Sequence, residues 1–94
     1  MERKKLTQGE IDAALTELDG WNATEDRLRK RREFNNFAES LEFVNAVGEL
    51  AEAADHHPDI TFGWGYAVIE LTTHDRGGIT DHDTALAKQI DAIE

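Results

Sequence analysis

Apolar residues along this chain recur at two spacings, one near 3.6 and one of 2, and the switches between them mark out helices and strands. Thr7-Gln8-Gly9-Glu10 has the form of a capping box, a hydroxyl followed three residues on by a carboxylate. Ile11, Ala14, Leu15 and Leu18 follow at helical spacing, and Asp19-Gly20 ends that helix. Trp21 to Ala23 reads as a short strand, Thr24-Glu25-Asp26 as a turn, and Arg27 to Phe34 as a second strand with Leu28 and Phe34 on one face. Asn36 through Glu39 starts a longer helix. No proline or turn cluster interrupts it before about Ala54, and its one glycine, Gly48, is tolerable. Ile60, Phe62 and Trp64 alternate as a strand, Gly65-Tyr66 reads as a turn, and Ala67, Ile69, Leu71 and Thr73 alternate as the antiparallel partner. Gly77-Gly78 forms a loop. Thr80-Asp81-His82-Asp83 opens a last helix in capping-box style, with Leu86, Ile90 and Ile93 on one face.

The order is α-β-β-α-β-β-α, without repeats, linkers or low-complexity segments. It predicts one α+β domain spanning residues 1–94. Phe37, Leu41, Phe43, Val44, Val47, Leu50, Ala51 and Ala54 cover about half the circumference of the long helix, wider than a one-sided stripe. A single sheet face cannot cover that arc, so a homo-oligomer is expected, with Phe43, Val47 and Leu50 at the contact between copies.

Composition narrows the function. The net charge of −10 repels nucleic acid and anionic lipid, so neither is an expected partner. The basic residues are nonetheless clustered, at Arg27, Arg29, Lys30, Arg31 and Arg32. No aromatic interleaves them, and they read as a solvated edge strand rather than an anion-binding patch. Cysteine is absent, which removes disulfides, thiol catalysis and thiolate metal sites. No apolar run approaches the ~20 residues of a membrane span, and the charged start has no apolar stretch behind it. The expected location is the cytoplasm.

The candidate chemistry lies at element ends. His56 and His57 follow the long helix, and Pro58 biases His57 towards extended backbone, which stops the helix there. His74 ends the second strand of the hairpin. Glu52, Asp55, Asp59 and Asp75 crowd the same region, and Glu52 stands four residues before His56, within reach if the helix extends that far. Imidazoles beside carboxylates suit proton transfer near neutral pH. Three histidines with an open position also describe a catalytic zinc site, but the spacing matches no standard zinc motif. His82 reads as solvated, Trp21, Trp64 and Tyr66 as core aromatics, and Asp81 and Asp83 as stabilisers of a helix N-terminus.

Ala51-Glu52-Ala53-Ala54-Asp55-His56-His57-Pro58, then Thr72-Thr73-His74-Asp75, then Gly78-Ile79-Thr80-Asp81-His82-Asp83 resemble the pterin-4a-carbinolamine dehydratase family. The resemblance spans nearly the whole chain, is specific between Glu52 and Asp83, and is only one of pattern before Asn35. It departs at Gly63 and Gly65, where the family commonly has larger or polar residues. It implies a four-stranded antiparallel sheet with helices packed on one face, in the element order already read. It implies His56, His57 and His74 as the active-site histidines and Glu52 and Asp83 as the accompanying carboxylates. Asp55, Thr72, Thr73 and Asp75 match positions that line the pterin pocket. The implied reaction is dehydration of a 4a-hydroxytetrahydropterin to the quinonoid dihydropterin, without metal or redox cofactor. His56 and His74 would move the protons, His57 would hold the pterin, and Glu52 would orient an imidazole. Family members associate as dimers and tetramers, so a tetramer or a dimer is expected. Some relatives bind a homeodomain transcription factor, and others that have lost the histidines serve as assembly factors. A non-catalytic interaction role through the long helix is therefore the alternative.

Overall fold

The computed structural model describes residues 4–93. Its elements are α1 (Gln8–Leu15), β1 (Trp21–Thr24), β2 (Arg27–Glu33), α2 (Phe37–Ala54), β3 (Asp59–Gly63), β4 (Tyr66–Leu71), a 3₁₀ turn (His74–Arg76) and α3 (Asp81–Asp91). The four strands form one antiparallel sheet in the order β1-β2-β4-β3.

Strand pairing explains which side chains face the helices. Leu28, Lys30 and Arg32 of β2 stand opposite Leu71, Ile69 and Ala67 of β4, and Ile69 and Ala67 stand opposite Ile60 and Phe62 of β3. The apolar members of this face join Ile11 of α1, Phe43, Val47 and Ala51 of α2, and Leu86, Ala87 and Ile90 of α3 in one core. All three helices therefore lie on one side of the sheet, as expected. The other face carries Arg29, Arg31, Thr61 and Glu70, with Val68 buried between Arg31 and Thr61 on the neighbouring strands.

Two expectations are corrected here. The basic run is not on an edge strand, because β2 pairs on both sides. Alternation divides it instead. Arg27 pairs with Asp59 at 3.1 Å and Arg29 with Glu70 at 3.9 Å on the outer face. Lys30 turns inward to Asp91 at 2.7 Å, and Arg32 turns inward to lie over Phe34 and Phe43. The second correction concerns α2. Phe43 and Val47, expected between copies, are 4% and 0% exposed within the single chain, because they face the sheet. The large apolar residues that α2 leaves in solvent are Phe37 and Leu41.

Smaller differences sit at strand ends. Trp64 and Gly65 make the β3–β4 turn, with Gly65 at φ +81, so Tyr66 is already in β4. Trp64 is 72% exposed at the tip and Tyr66 packs under Arg31, so of the three predicted core aromatics only Trp21 is in the core. β4 ends at Leu71, and Thr73 continues only as an isolated bridge to Gly78.

Candidate active site

Three element ends meet at one place. The first is the C-terminus of α2. Asp55 takes a left-handed conformation (φ 50, ψ 43), its N–H donates to the Glu52 carbonyl at 3.2 Å, and the His56 N–H donates to the Ala51 carbonyl at 3.1 Å. This is the Schellman closure, with aspartate in the place usually held by glycine. It turns the chain sharply. His56 is thereby buried while the next residue, His57, stays in solvent, and Pro58 keeps the chain extended.

The second end follows β4. Thr73 and Gly78 close a small loop, the Thr73 N–H donating to the Gly78 carbonyl at 3.0 Å and the Gly78 N–H to the Thr73 carbonyl at 3.4 Å. The loop carries His74 and Asp75 on the 3₁₀ turn and reverses at Gly77, φ 70. Before it, the Thr72 hydroxyl donates to the Asp26 carbonyl at 2.8 Å, tying the loop to the β1–β2 turn. The third end is the N-terminus of α3, capped by Thr80 and Asp83 in a capping box.

A cleft of about 290 Å³ opens among these ends, lined by Asp55, His56, His57, Thr72, Thr73, His74 and Asp75. This is near the lower size of small-molecule sites. All three predicted histidines are there, with four of the six other predicted residues. Glu52 and Asp83 do not line it; each stands behind a histidine. Glu52 pairs with His57 rather than with His56, because the left-handed turn at Asp55 breaks the helical spacing that would have brought Glu52 to His56. His56 pairs instead with Asp83, Nε2 to Oδ1 at 2.5 Å, where Asp83 is fully buried. The other oxygen of Asp83 accepts from the Thr73 hydroxyl at 2.9 Å and the Thr80 N–H at 2.8 Å.

Sequence reasoning missed two participants. Thr80 is fully buried and its hydroxyl lies 2.8 Å from that of Thr73. His82 is not simply solvated: its ring meets that of His56 edge-on at a 5.8 Å centroid distance. Its helical spacing from Thr80 gave no warning, since the contact is made across elements. Gly63 and Gly65 lie at the other end of β4 from the cleft, so the departures there leave the site's lining untouched. Among the described residues no three His, Asp or Glu side chains converge as metal ligands. Another concavity of about 260 Å³, between Arg32, Phe34, Phe43, Ala46 and Ile93, adds only Glu39 and Glu42 and lacks a proton-transfer pair.

The pterin 4 alpha carbinolamine dehydratase family model matches residues 4–93. A Sulfolobus acidocaldarius protein provisionally assigned as a pterin-4-alpha-carbinolamine dehydratase is 42% identical over 90 residues, covering 96% of this chain and 99% of that one. Among solved structures, a transcriptional coactivator/pterin dehydratase from Brucella melitensis superposes with a TM-score of 0.90 at 28% identity, covering 95% of this chain and 97% of its own. A pterin dehydratase-like RuBisCO assembly factor of the alpha-carboxysome gives 0.64 at 29% identity, over 77% and 83%. With the match running through α1 to α3 and through every residue of the cleft, this chain belongs to the pterin 4 alpha carbinolamine dehydratase family.

Proposed function

We propose that this chain is a hydro-lyase that removes water from a 4a-hydroxytetrahydropterin, giving the quinonoid dihydropterin for reuse by an aromatic amino-acid hydroxylase. One observation carries the reading: His56, His57 and His74 meet on a single cleft, with a buried carboxylate behind the first of them. The reaction asks for one acid and one base. Protonating the leaving C4a oxygen weakens its bond to carbon, and removing the N5 proton supplies the electron pair for the new C=N bond. His56 and His74 are the proposed proton carriers. Their difference in environment suits different tasks, since His56 is buried against Asp83 and His74 is exposed on a short turn. His57, steadied by Glu52, would contact the pterin, and Asp55, Thr72, Thr73 and Asp75 offer polar groups to its ring edge. No helix among the described residues is long and apolar enough to cross a membrane, which accords with work on a dissolved pterin in the cytoplasm.

The test is a stopped-flow ultraviolet assay of 4a-hydroxytetrahydropterin breakdown with purified, chelator-treated protein. Acceleration over the substantial spontaneous rate is expected. An equal rate with and without protein would remove the enzyme reading, and activity only after added zinc would establish the metal alternative. A binding role through α2 is the second reading. Phe37 and Leu41 are 45% and 39% exposed on that helix, and the structural neighbours include a coactivator and an assembly factor.

A further inference from the structure

The hydrogen bonds behind His56 restrict where its protons can sit. Asp83 Oδ2 faces two groups that can donate to it, the Thr80 N–H at 2.8 Å and the Thr73 hydroxyl at 2.9 Å. The amide can only donate, so Oδ2 is an acceptor. The Thr73 hydroxyl has one proton. If it goes to Asp83, the 2.8 Å contact between Thr73 and Thr80 must be filled by the Thr80 proton. Thr80 is free to give it, because its oxygen otherwise acts as an acceptor, from the His82 N–H at 3.3 Å and from the Asp83 N–H of the capping box. A directed chain results, Thr80 hydroxyl to Thr73 hydroxyl to Asp83. Oδ2 is thus supplied with donors, the surroundings an ionised carboxylate takes, and the other oxygen of Asp83 faces His56 Nε2 at 2.5 Å. With Asp83 ionised, Oδ1 cannot donate and Nε2 carries the proton. In the neutral ring Nδ1 is therefore the bare nitrogen. Among the described residues nothing hydrogen-bonds to it, and it is not sealed from solvent.

We propose that the buried Thr80–Thr73–Asp83 chain holds His56 as its Nε2–H tautomer, which makes Nδ1 the proton acceptor of the cleft and Thr73, Thr80 and Asp83 positioning residues. The catalytic half of this statement rests on the dehydratase reading; the tautomer does not. In the reaction Nδ1 takes the N5 proton, the N5 electrons form the N5=C4a bond, and the C4a–O bond breaks. The leaving hydroxide takes a proton from a second group and departs as water. His56 becomes the imidazolium, its charge facing Asp83, and the acid role falls to a group outside this chain of hydrogen bonds, for which His74 is placed.

The assignment is read without substrate, by two-bond proton–nitrogen NMR of ¹⁵N-labelled protein, at a pH raised until one ring nitrogen of His56 is unprotonated. His56→Gln identifies the signals. The deshielded, unprotonated nitrogen should be Nδ1. Finding it at Nε2 would overturn the proposal, whatever the dehydration assay gives. Asp83→Asn should reverse the pattern. The two donors at Oδ2 hold the amide oxygen there, so the NH₂ points at Nε2 and forces the proton to Nδ1. Loss of kcat by roughly 10⁴-fold, as for a histidine held in the wrong tautomer elsewhere, should accompany it with a smaller change in KM. An unreversed tautomer in a folded Asp83→Asn protein would count against the chain. Thr73→Val guards against a variant that does not fold. It leaves the carboxylate one donor poorer, so the His56 Nε2–H proton should move downfield, and an unmoved signal would remove Thr73 from the chain.

Discussion

Replacing Asp91 by Asn tests how α3 is fastened to the sheet. Asp91 accepts from the Asp19 N–H at 2.9 Å, the Trp21 indole N–H at 2.8 Å and the Lys30 ammonium at 2.7 Å. One carboxylate thus joins the end of α3 to the α1–β1 turn, β1 and the inward face of β2. Burial is the largest single influence on its pKa and raises it. The Lys30, Asp19 and Trp21 hydrogen bonds and the Lys30 charge together outweigh burial and hold it below the usual carboxylate value. Asparagine keeps the shape but removes the charge, and its NH₂ must face at least one of three donors. Hydrogen bonds to charged groups contribute about 1.5–3 kcal/mol each, and breaking a fully buried pair costs about 3–5 kcal/mol. Lys30 and Asp91 keep 12% and 16% of their side-chain surface, so water softens the loss, and about 2 kcal/mol is the reasoned figure. That corresponds to a fall in Tm of roughly 8–16 °C for a domain this small.

The sign with pH follows from the depressed value. A carboxylate whose folded pKa lies below its unfolded one adds stability that is full above the unfolded pKa, near 3.9, and is lost as pH falls through the folded one. The gap between the native chain and Asp91→Asn, measured as urea midpoints by circular dichroism, should be constant from about pH 7 to 5 and close below about pH 4. A gap under about 0.5 kcal/mol at pH 7, or one that widens on acidification, would refute the reasoning.

His74→Ala should lower kcat roughly 10²–10⁴-fold, less if the spontaneous reaction sets a floor, while His82→Ala, whose ring lies outside the cleft's lining and meets that of His56 edge-on, should cost under about tenfold. The β1–β2 turn places Glu25 and Asp26 at φ 53 and 63, so Glu25→Asn with Asp26→Gly should raise stability by about 1 kcal/mol in urea melts. The chain should run as an oligomer in light scattering, more so with added salt because each copy carries −10. Leu41→Glu should shift it towards 10.6 kDa without unfolding, whereas Val47→Glu should unfold the protomer.

The histidine cluster was legible because its signals are local: a doubled histidine before a proline, and a third after an alternating strand. The element order was legible for the same reason. What escaped was set by geometry across the chain. The family resemblance named Asp83 as a site carboxylate but not its pairing with His56: the two lie 27 residues apart, and the capping-box position offered a sufficient local explanation for a carboxylate there. Glu52 was expected at His56 because helical spacing was carried one residue past the point where Asp55 leaves the helix. Lys30 and Arg32 fall by alternation on the face of Leu28 and Phe34, and reading the cations as one solvated run set that aside; what spacing does not show is the carboxylate that meets Lys30 there, since Asp91 lies 61 residues on.

The two capping boxes of this chain make a controlled comparison between a cap that only stabilises and one that also serves a site. At α1, Thr7 and Glu10 bond reciprocally in solvent, and the Thr7 backbone N–H is the main reason that the Glu10 carboxyl sits below its usual range. At α3, Thr80 and Asp83 bond in the same way, but both are fully buried and Asp83 has an oxygen left for His56. The shorter aspartate in place of the usual Glu keeps the carboxylate close to the helix end, between cap and histidine. Losing the threonine cap should cost roughly 0.5–2 kcal/mol of stability at either helix. Thr7→Ala should show that cost in urea midpoints and leave the dehydration rate and the His56 ring-nitrogen signals where they were. Thr80→Ala should show a cost at the upper end and also move the His56 Nε2–H signal, because the donor chain through Thr73 to Asp83 has lost its first member. If the two variants differ in stability alone, with the His56 signals alike, the cap of α3 is no more than a cap, and the carboxylate would have to hold His56 without help from the threonines.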